Sequence, residues 1–138
     1  MATDRTPLIG KLKIAKAARP VVIGAPRGFR DELSAALGRP VGDGVDGRHD
    51  WILLFAPDQA ALAGSIGTAA AALDDPGILW LVFPKGSSKI QTDLTRDAGW
   101  ESVAVAELMW LGLVSIDDTW SAFSTRRYRP GEARQSFR

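Results

Sequence analysis

The sequence predicts an α/β domain: a mostly parallel sheet with helices on both faces, finished by an antiparallel hairpin. Three observations carry this. Pro20-Val21-Val22-Ile23, Trp51-Ile52-Leu53-Leu54-Phe55 and Ile78-Leu79-Trp80-Leu81-Val82-Phe83 are apolar runs of strand length without alternation, the pattern of strands buried on both faces. Segments of helical periodicity separate them, so strand and helix alternate. Near the end, residues 110–116 and 120–125 read as two strands joined by Asp117-Asp118-Thr119, a connection short enough to turn the chain back on itself.

Taken in order, residues 7–18 place Leu8, Ile9, Leu12 and Ile14 between basic residues and predict a leading amphipathic helix. The first strand ends at Gly24. Gly28-Phe29-Arg30-Asp31-Glu32-Leu33 opens a helix, its acidic residues in the first turn where the macrodipole favours them, and Gly38 stops it. Residues 39–50 are rich in glycine and aspartate, with only Val41 and Val45 to bury. They predict a loop holding at most one short strand. Asp58 is the expected cap of the next helix, whose Leu62, Ile66, Ala69 and Leu73 share one face. Asp74-Asp75-Pro76-Gly77 reads as a turn, and a further helix is expected over residues 95–108. Of the five tryptophans, Trp51, Trp80 and Trp110 fall in or beside strands and Trp100 on a helix that packs on the sheet. Trp120 falls at the rim. The whole is a three-layer, Rossmann-like arrangement.

At 138 residues the chain makes one domain, expected over residues 1–125, with the leading helix in residues 1–18. Cysteine is absent, which excludes disulfides, thiolate metal sites and a cysteine nucleophile, and fits a reducing, cytoplasmic setting. Met1-Ala2-Thr3-Asp4-Arg5 lacks a signal-peptide pattern, and no apolar run approaches the ~20 residues of a membrane span. Residues 126–138 carry five arginines against one glutamate and predict a basic, flexible tail; the body has 12 basic and 15 acidic residues. Neither a nucleic-acid footprint nor a membrane partner is expected.

In such sheets ligands bind beyond the carboxyl ends of the strands, where strand order reverses. The loop Gly24-Ala25-Pro26-Arg27-Gly28-Phe29 lies there, with Gly24, Arg27, Gly28 and Phe29 as candidate cofactor-binding residues. Its two glycines fail the spacing of the glycine-rich dinucleotide loop, and Pro26 offers no amide hydrogen. Asp43 and Asp46 stand about 20 residues further on, where a ribose-binding acid belongs, in a loop whose aspartates also suit turns. Lys85, Gly86, Ser87, Ser88 and Lys89, with Asp93, form a second rim candidate able to hold phosphate or carboxylate, though not a P-loop. Asp117 and Trp120 complete the rim. His49, the only histidine, reads as a surface loop residue without the partners a metal site or catalytic triad requires, so no metal is expected and no catalytic residue is assigned.

The pieces at residues 24–29, 79–89, 92–97 and 114–122, above all Pro84-Lys85-Gly86-Ser87-Ser88-Lys89 and Asp117-Asp118-Thr119-Trp120-Ser121, resemble a bacterial family catalogued as domain of unknown function 3052. The resemblance covers residues 8–125 and implies a shortened relative of S-adenosylmethionine-dependent methyltransferases. It places Lys85, Ser87, Ser88, Lys89, Asp93, Asp117, Asp118 and Trp120 at motif positions without assigning them roles. Three functions follow as expectations: a non-catalytic domain binding a small anionic ligand or its own copies; a minimal active methyltransferase using S-adenosylmethionine, with Pro57 or Pro84 shaping the acceptor pocket; or a structural protein whose hairpin edge pairs with another chain.

Overall fold

The computed structural model describes residues 3–135. Along the chain lie α1 (Thr6–Lys11), β1 (Pro20–Ile23), α2 (Phe29–Leu37), β2 (His49–Phe55), α3 (Gln59–Ala72), β3 (Leu73–Pro84), α4 (Glu101–Val105), β4 (Leu108–Ser115) and β5 (Trp120–Arg127). The strands form one sheet in the order β1-β2-β3-β5-β4. β1, β2 and β3 run parallel, β5 runs antiparallel to β3, and β4 runs antiparallel to β5. The parallel sheet, its flanking helices and the terminal hairpin are those expected from the sequence.

Successive residues of a strand face opposite sides, so the unbroken apolar runs feed two cores. Trp51, Leu53 and Phe55 of β2 pack with Leu12, Phe29 and Leu33 on the side of α1 and α2. Ile52 and Leu54 pack with Leu62, Ile66 and Val103 on the side of α3 and α4. Trp51 and Trp80, on adjacent strands, both donate their indole N–H to the Leu12 carbonyl, at 2.7 and 3.0 Å. One carbonyl at the end of α1 thereby satisfies two buried donors that would be costly unpaired. On the opposite side Phe83, Trp100, Trp110 and Phe123 form an aromatic cluster, with ring centroids 3.9 to 5.3 Å apart in the touching pairs.

Asp58 caps α3 as expected, accepting the Ala61 N–H at 2.8 Å. The other end of α3 is held by two arginines. Arg48 donates to the Ala71 and Leu73 carbonyls and Arg127 to those of Ala70 and Leu73, placing positive charge where the helix dipole is negative.

Four expectations are corrected. The leading helix stops at Lys11, because Lys13 takes a left-handed φ of 56°, yet Leu12 and Ile14 stay buried in the irregular segment that follows. Residues 74–77 do not end the chain's run before a strand: β3 already begins at Leu73, opposite His49, and pairing resumes at Trp51 with Ile78, so the intervening residues bulge. The helix over residues 95–108 shrinks to α4. The hydroxyls of Thr92 and Thr95 accept the N–H two residues on, and Thr95 and Ala98 exchange backbone hydrogen bonds in a tight turn that competes with helix. Finally, His49 is buried rather than on the surface. Its Nδ1–H donates to the Arg19 carbonyl and its Nε2 accepts the Asp46 N–H, both at 2.9 Å.

The loop between α2 and β2 does contain one rung of strand. Gly42 bridges Val21 in parallel, with its N–H on the Pro20 carbonyl and its carbonyl accepting from Val22. The chain therefore leaves β1 outward to Gly42 and returns to β2 on the inner side, which puts the reversal of strand order at the carboxyl end of β1. Among the described residues no helix is long and apolar enough to cross a membrane. Within residues 126–135, Arg126 forms a two-pronged pair with Glu132 at 2.9 and 2.8 Å.

Candidate functional site

At the reversal point lies an open concavity of about 270 Å³, lined by Val22, residues 24–28, Arg30, Asp31 and Asp43. Two left-handed glycines shape it. Gly24 has φ +71°, and a side chain there would also crowd the Phe55 carbonyl at 3.3 Å; Gly28 has φ +87° and begins α2. No side chain caps α2. The amides of Phe29 and Glu32 bond the Pro26 and Gly28 carbonyls, so those of Arg30 and Asp31 are left to solvent or a ligand. Such an amino end favours an anion.

The charges in the concavity differ in their freedom. Arg30 is committed, donating to the Val41 carbonyl at 3.1 Å and pairing with Asp31 at 3.3 Å. Arg27 and Asp43 have no hydrogen-bond or ion-pair partner among the described residues. Asp43 reaches the concavity because it directly follows the Gly42 rung, the place a ribose-binding acid takes at the end of a second strand. Arg30 and Asp31 were not singled out from the sequence; their place in the first turn after the loop was the available signal.

The remaining candidates have other surroundings. Phe29 is buried, edge-on to Phe55 at 5.0 Å, with the Arg5 guanidinium 4.7 Å from its ring centroid. Trp120 is buried too, edge-on to Phe55 at 5.1 Å. Asp117 accepts the N–H groups of Thr119 and Trp120, both at 2.9 Å, and pairs with Arg5 at 3.1 Å. Arg5 also binds Glu32, so it clamps the hairpin turn to α2; the Thr3 amide and the Arg5 guanidinium hold the Glu32 carboxyl below its usual pKa. Lys85 donates to the Ser115 hydroxyl at 2.6 Å, and Ser88 turns its hydroxyl onto the Lys85 carbonyl at 2.8 Å. Asp93 accepts the Gln59 N–H at 2.8 Å, at the start of α3. Gly86, Ser87 and Lys89 are exposed. The structure thus brings Gly24, Arg27 and Gly28 together with Asp43, and leaves residues 85–93 two strands away, about 10 Å at ordinary strand spacing. Among the described residues no three metal-ligating acids or histidines gather.

No family model matches the chain, and no curated protein matches its sequence. Solved structures do. The mitomycin 7-O-methyltransferase MmcR superimposes on 91% of this chain with a TM-score of 0.67 and 11% identity, and 53% of MmcR is covered. The fold is methyltransferase-like. The B. subtilis tRNA methyltransferase TrmK gives 0.57 at 11% identity, covering 93% of this chain and 67% of its own. The magnesium protoporphyrin IX methyltransferase ChlM from Synechocystis, solved with bound SAH, gives 0.56 at 9% identity, covering 85% and 68%. This chain spans about half the length of MmcR. Relative to the full doubly wound sheet, the methyltransferase-like core here keeps the strands on one side of β1 and reduces the other side to the Gly42 rung.

Proposed function

We propose that the chain is a methyltransferase-shaped binding domain that holds a small anionic ligand at the carboxyl end of β1 and does not itself transfer a methyl group. The observation that carries this is Arg27, without a partner among the described residues, beside the uncapped start of α2 and in the same concavity as Asp43, which has none among them either. Arginine and helix amides recognise phosphate or carboxylate, and a free carboxylate accepts from hydroxyls. A hydroxyl-bearing anion, such as a ribose phosphate, fits both. Methyl transfer asks for enclosure from water. The rim groups that could provide it, Lys85, Asp93, Asp117 and Trp120, are engaged with the chain itself. Membership of the domain of unknown function 3052 belongs to this reading on the strength of residues 84–89 and 117–121 alone, as does a cytoplasmic setting.

The fold favours a second reading, an active methyltransferase binding S-adenosylmethionine through Gly24, Arg27 and Gly28. Thermal unfolding with inorganic phosphate, adenosine monophosphate, S-adenosylmethionine and its demethylated product separates the two. A ligand at ~100 times its dissociation constant adds about 2.7 kcal/mol to stability. A rise in midpoint with phosphate or the nucleotide, lost in Arg27→Ala, supports the binding domain. A rise with S-adenosylmethionine accompanied by methyl transfer to a cell extract replaces it with the enzyme. No rise with any of the four removes both.

A further inference from the structure

The two edges of the sheet are finished differently. Beyond β1, Gly42 and the loop after it fold back on the strand. Arg19 and His49 pin that loop through backbone groups of Asp46 and Arg48. Beyond β4 there is no strand among the described residues. Exposed edges are ordinarily blunted by charge, proline, bulges or a cover, because their backbone groups template pairing with another chain. β4 reads Leu-Met-Trp-Leu-Gly-Leu-Val-Ser: no charge and no proline, with Leu111 47% and Leu113 41% exposed and a single bulge at Leu111. What covers part of it is the chain's own end. The Gln135 side-chain amide accepts the Trp110 N–H at 2.7 Å and donates to the Trp110 carbonyl at 3.1 Å, the two bonds a neighbouring strand would make. Beside it, Arg134 pairs with Glu107.

We infer that this edge takes a second copy of the chain, β4 antiparallel to β4, in competition with the strap formed by Arg134 and Gln135. The strand is self-complementary in that sense. With the twofold axis beside Gly112, the exposed Leu111 and Leu113 of the two copies gather around it. The charges at its ends are complementary as well. Glu107 precedes the strand, and Lys11 and Lys85 converge on Ser115 at its far end, at 3.3 and 2.6 Å. Antiparallel pairing brings Glu107 of each copy to the lysines of the other. A second copy supplies this matching pattern by symmetry alone.

Sedimentation across a concentration series tests the inference on the full chain. Arg134→Ala with Gln135→Ala removes the strap and is expected to tighten dimerisation by on the order of tenfold or more, since each of the two copies no longer gives up two hydrogen bonds and an exposed ion pair. Adding Leu113→Lys, or in parallel Leu111→Lys, is expected to return that variant to a monomer with native circular dichroism. A strap-free variant that stays monomeric at every concentration overturns the inference, and so does a dimer that survives both lysine substitutions.

Discussion

After β3, residues 85–93 bring two lysines, two serines and an aspartate to the rim of the sheet; after β1, residues 24–28 bring a single arginine. In the richer loop three polar side chains are tied to the chain, while Ser87 and Lys89 stay exposed. Lys85 ties to Ser115, Ser88 to the Lys85 carbonyl and Asp93 to the start of α3. The poorer loop's arginine has no partner among the described residues and lies in a concavity shaped by left-handed glycines and shared with an aspartate that has none among them either. Side-chain chemistry at a rim therefore does not make a site. The proposed site rests instead on unmet bonding capacity in a concave place, and a motif dense in polar residues can serve to hold neighbouring loops together.

Substitutions can break this contrast. The largest effect is expected from Trp120→Ala, which empties a buried position against Phe55 and should cost about 3–5 kcal/mol. Ligand affinity of the remaining folded protein should stay the same; weaker binding would make Trp120 part of the site. Next comes Asp117→Ala, which frees two hairpin-turn N–H groups and leaves Arg5 with Glu32 as its one carboxylate partner among the described residues, a loss of about 2 kcal/mol in urea unfolding with no change in binding.

A pH dependence follows from Glu132. Its hydrogen bonds to Arg126 and to the Arg129 N–H hold its pKa at about 2, below the ordinary 4.5. A depressed carboxyl pKa contributes stability above 4.5 that is lost as pH falls toward 2. Glu132→Gln should flatten that part of the stability profile, read as the urea midpoint against pH. An unchanged profile would show that the bidentate pair contributes nothing to the fold. The smallest effects on stability belong to Arg27→Ala and Asp43→Asn, within about 0.5 kcal/mol of the parent because neither side chain has a partner among the described residues. These two alone should abolish ligand binding.

The fold was legible where local chemistry is decisive. The three apolar runs, the Asp58 cap, the Gly38 stop and the hairpin all appear where their residues predict. It was not legible where tertiary contacts override local pattern. Leu12 and Ile14 have helical spacing but are buried from irregular backbone, and the threonines at 92 and 95 divert a helix-like stretch into turns. His49 looked like a loop residue because the backbone groups it binds, at Arg19 and Asp46, come from separate loop segments. For the candidate site, the β1 loop could be named from its position after the first strand. The sequence offers Asp43 and Asp46 together as the acid beside it; what could not be read was that Asp43 is the one that joins it, since the single rung that carries Asp43 there has only Val41 nearby to mark it. Nor do the residue types in the 85–93 loop reveal that Lys85 and Asp93 have partners 30 and 34 residues away.

The most direct measurement is amide chemical-shift mapping by NMR during titration with adenosine monophosphate and, separately, inorganic phosphate. Saturable shifts confined to Gly24, Arg27, Gly28, Arg30, Asp31 and Asp43, and absent in Arg27→Ala, are the expected result. Shifts centred on residues 85–89 instead, or none at either loop, would contradict a ligand site at the carboxyl end of β1.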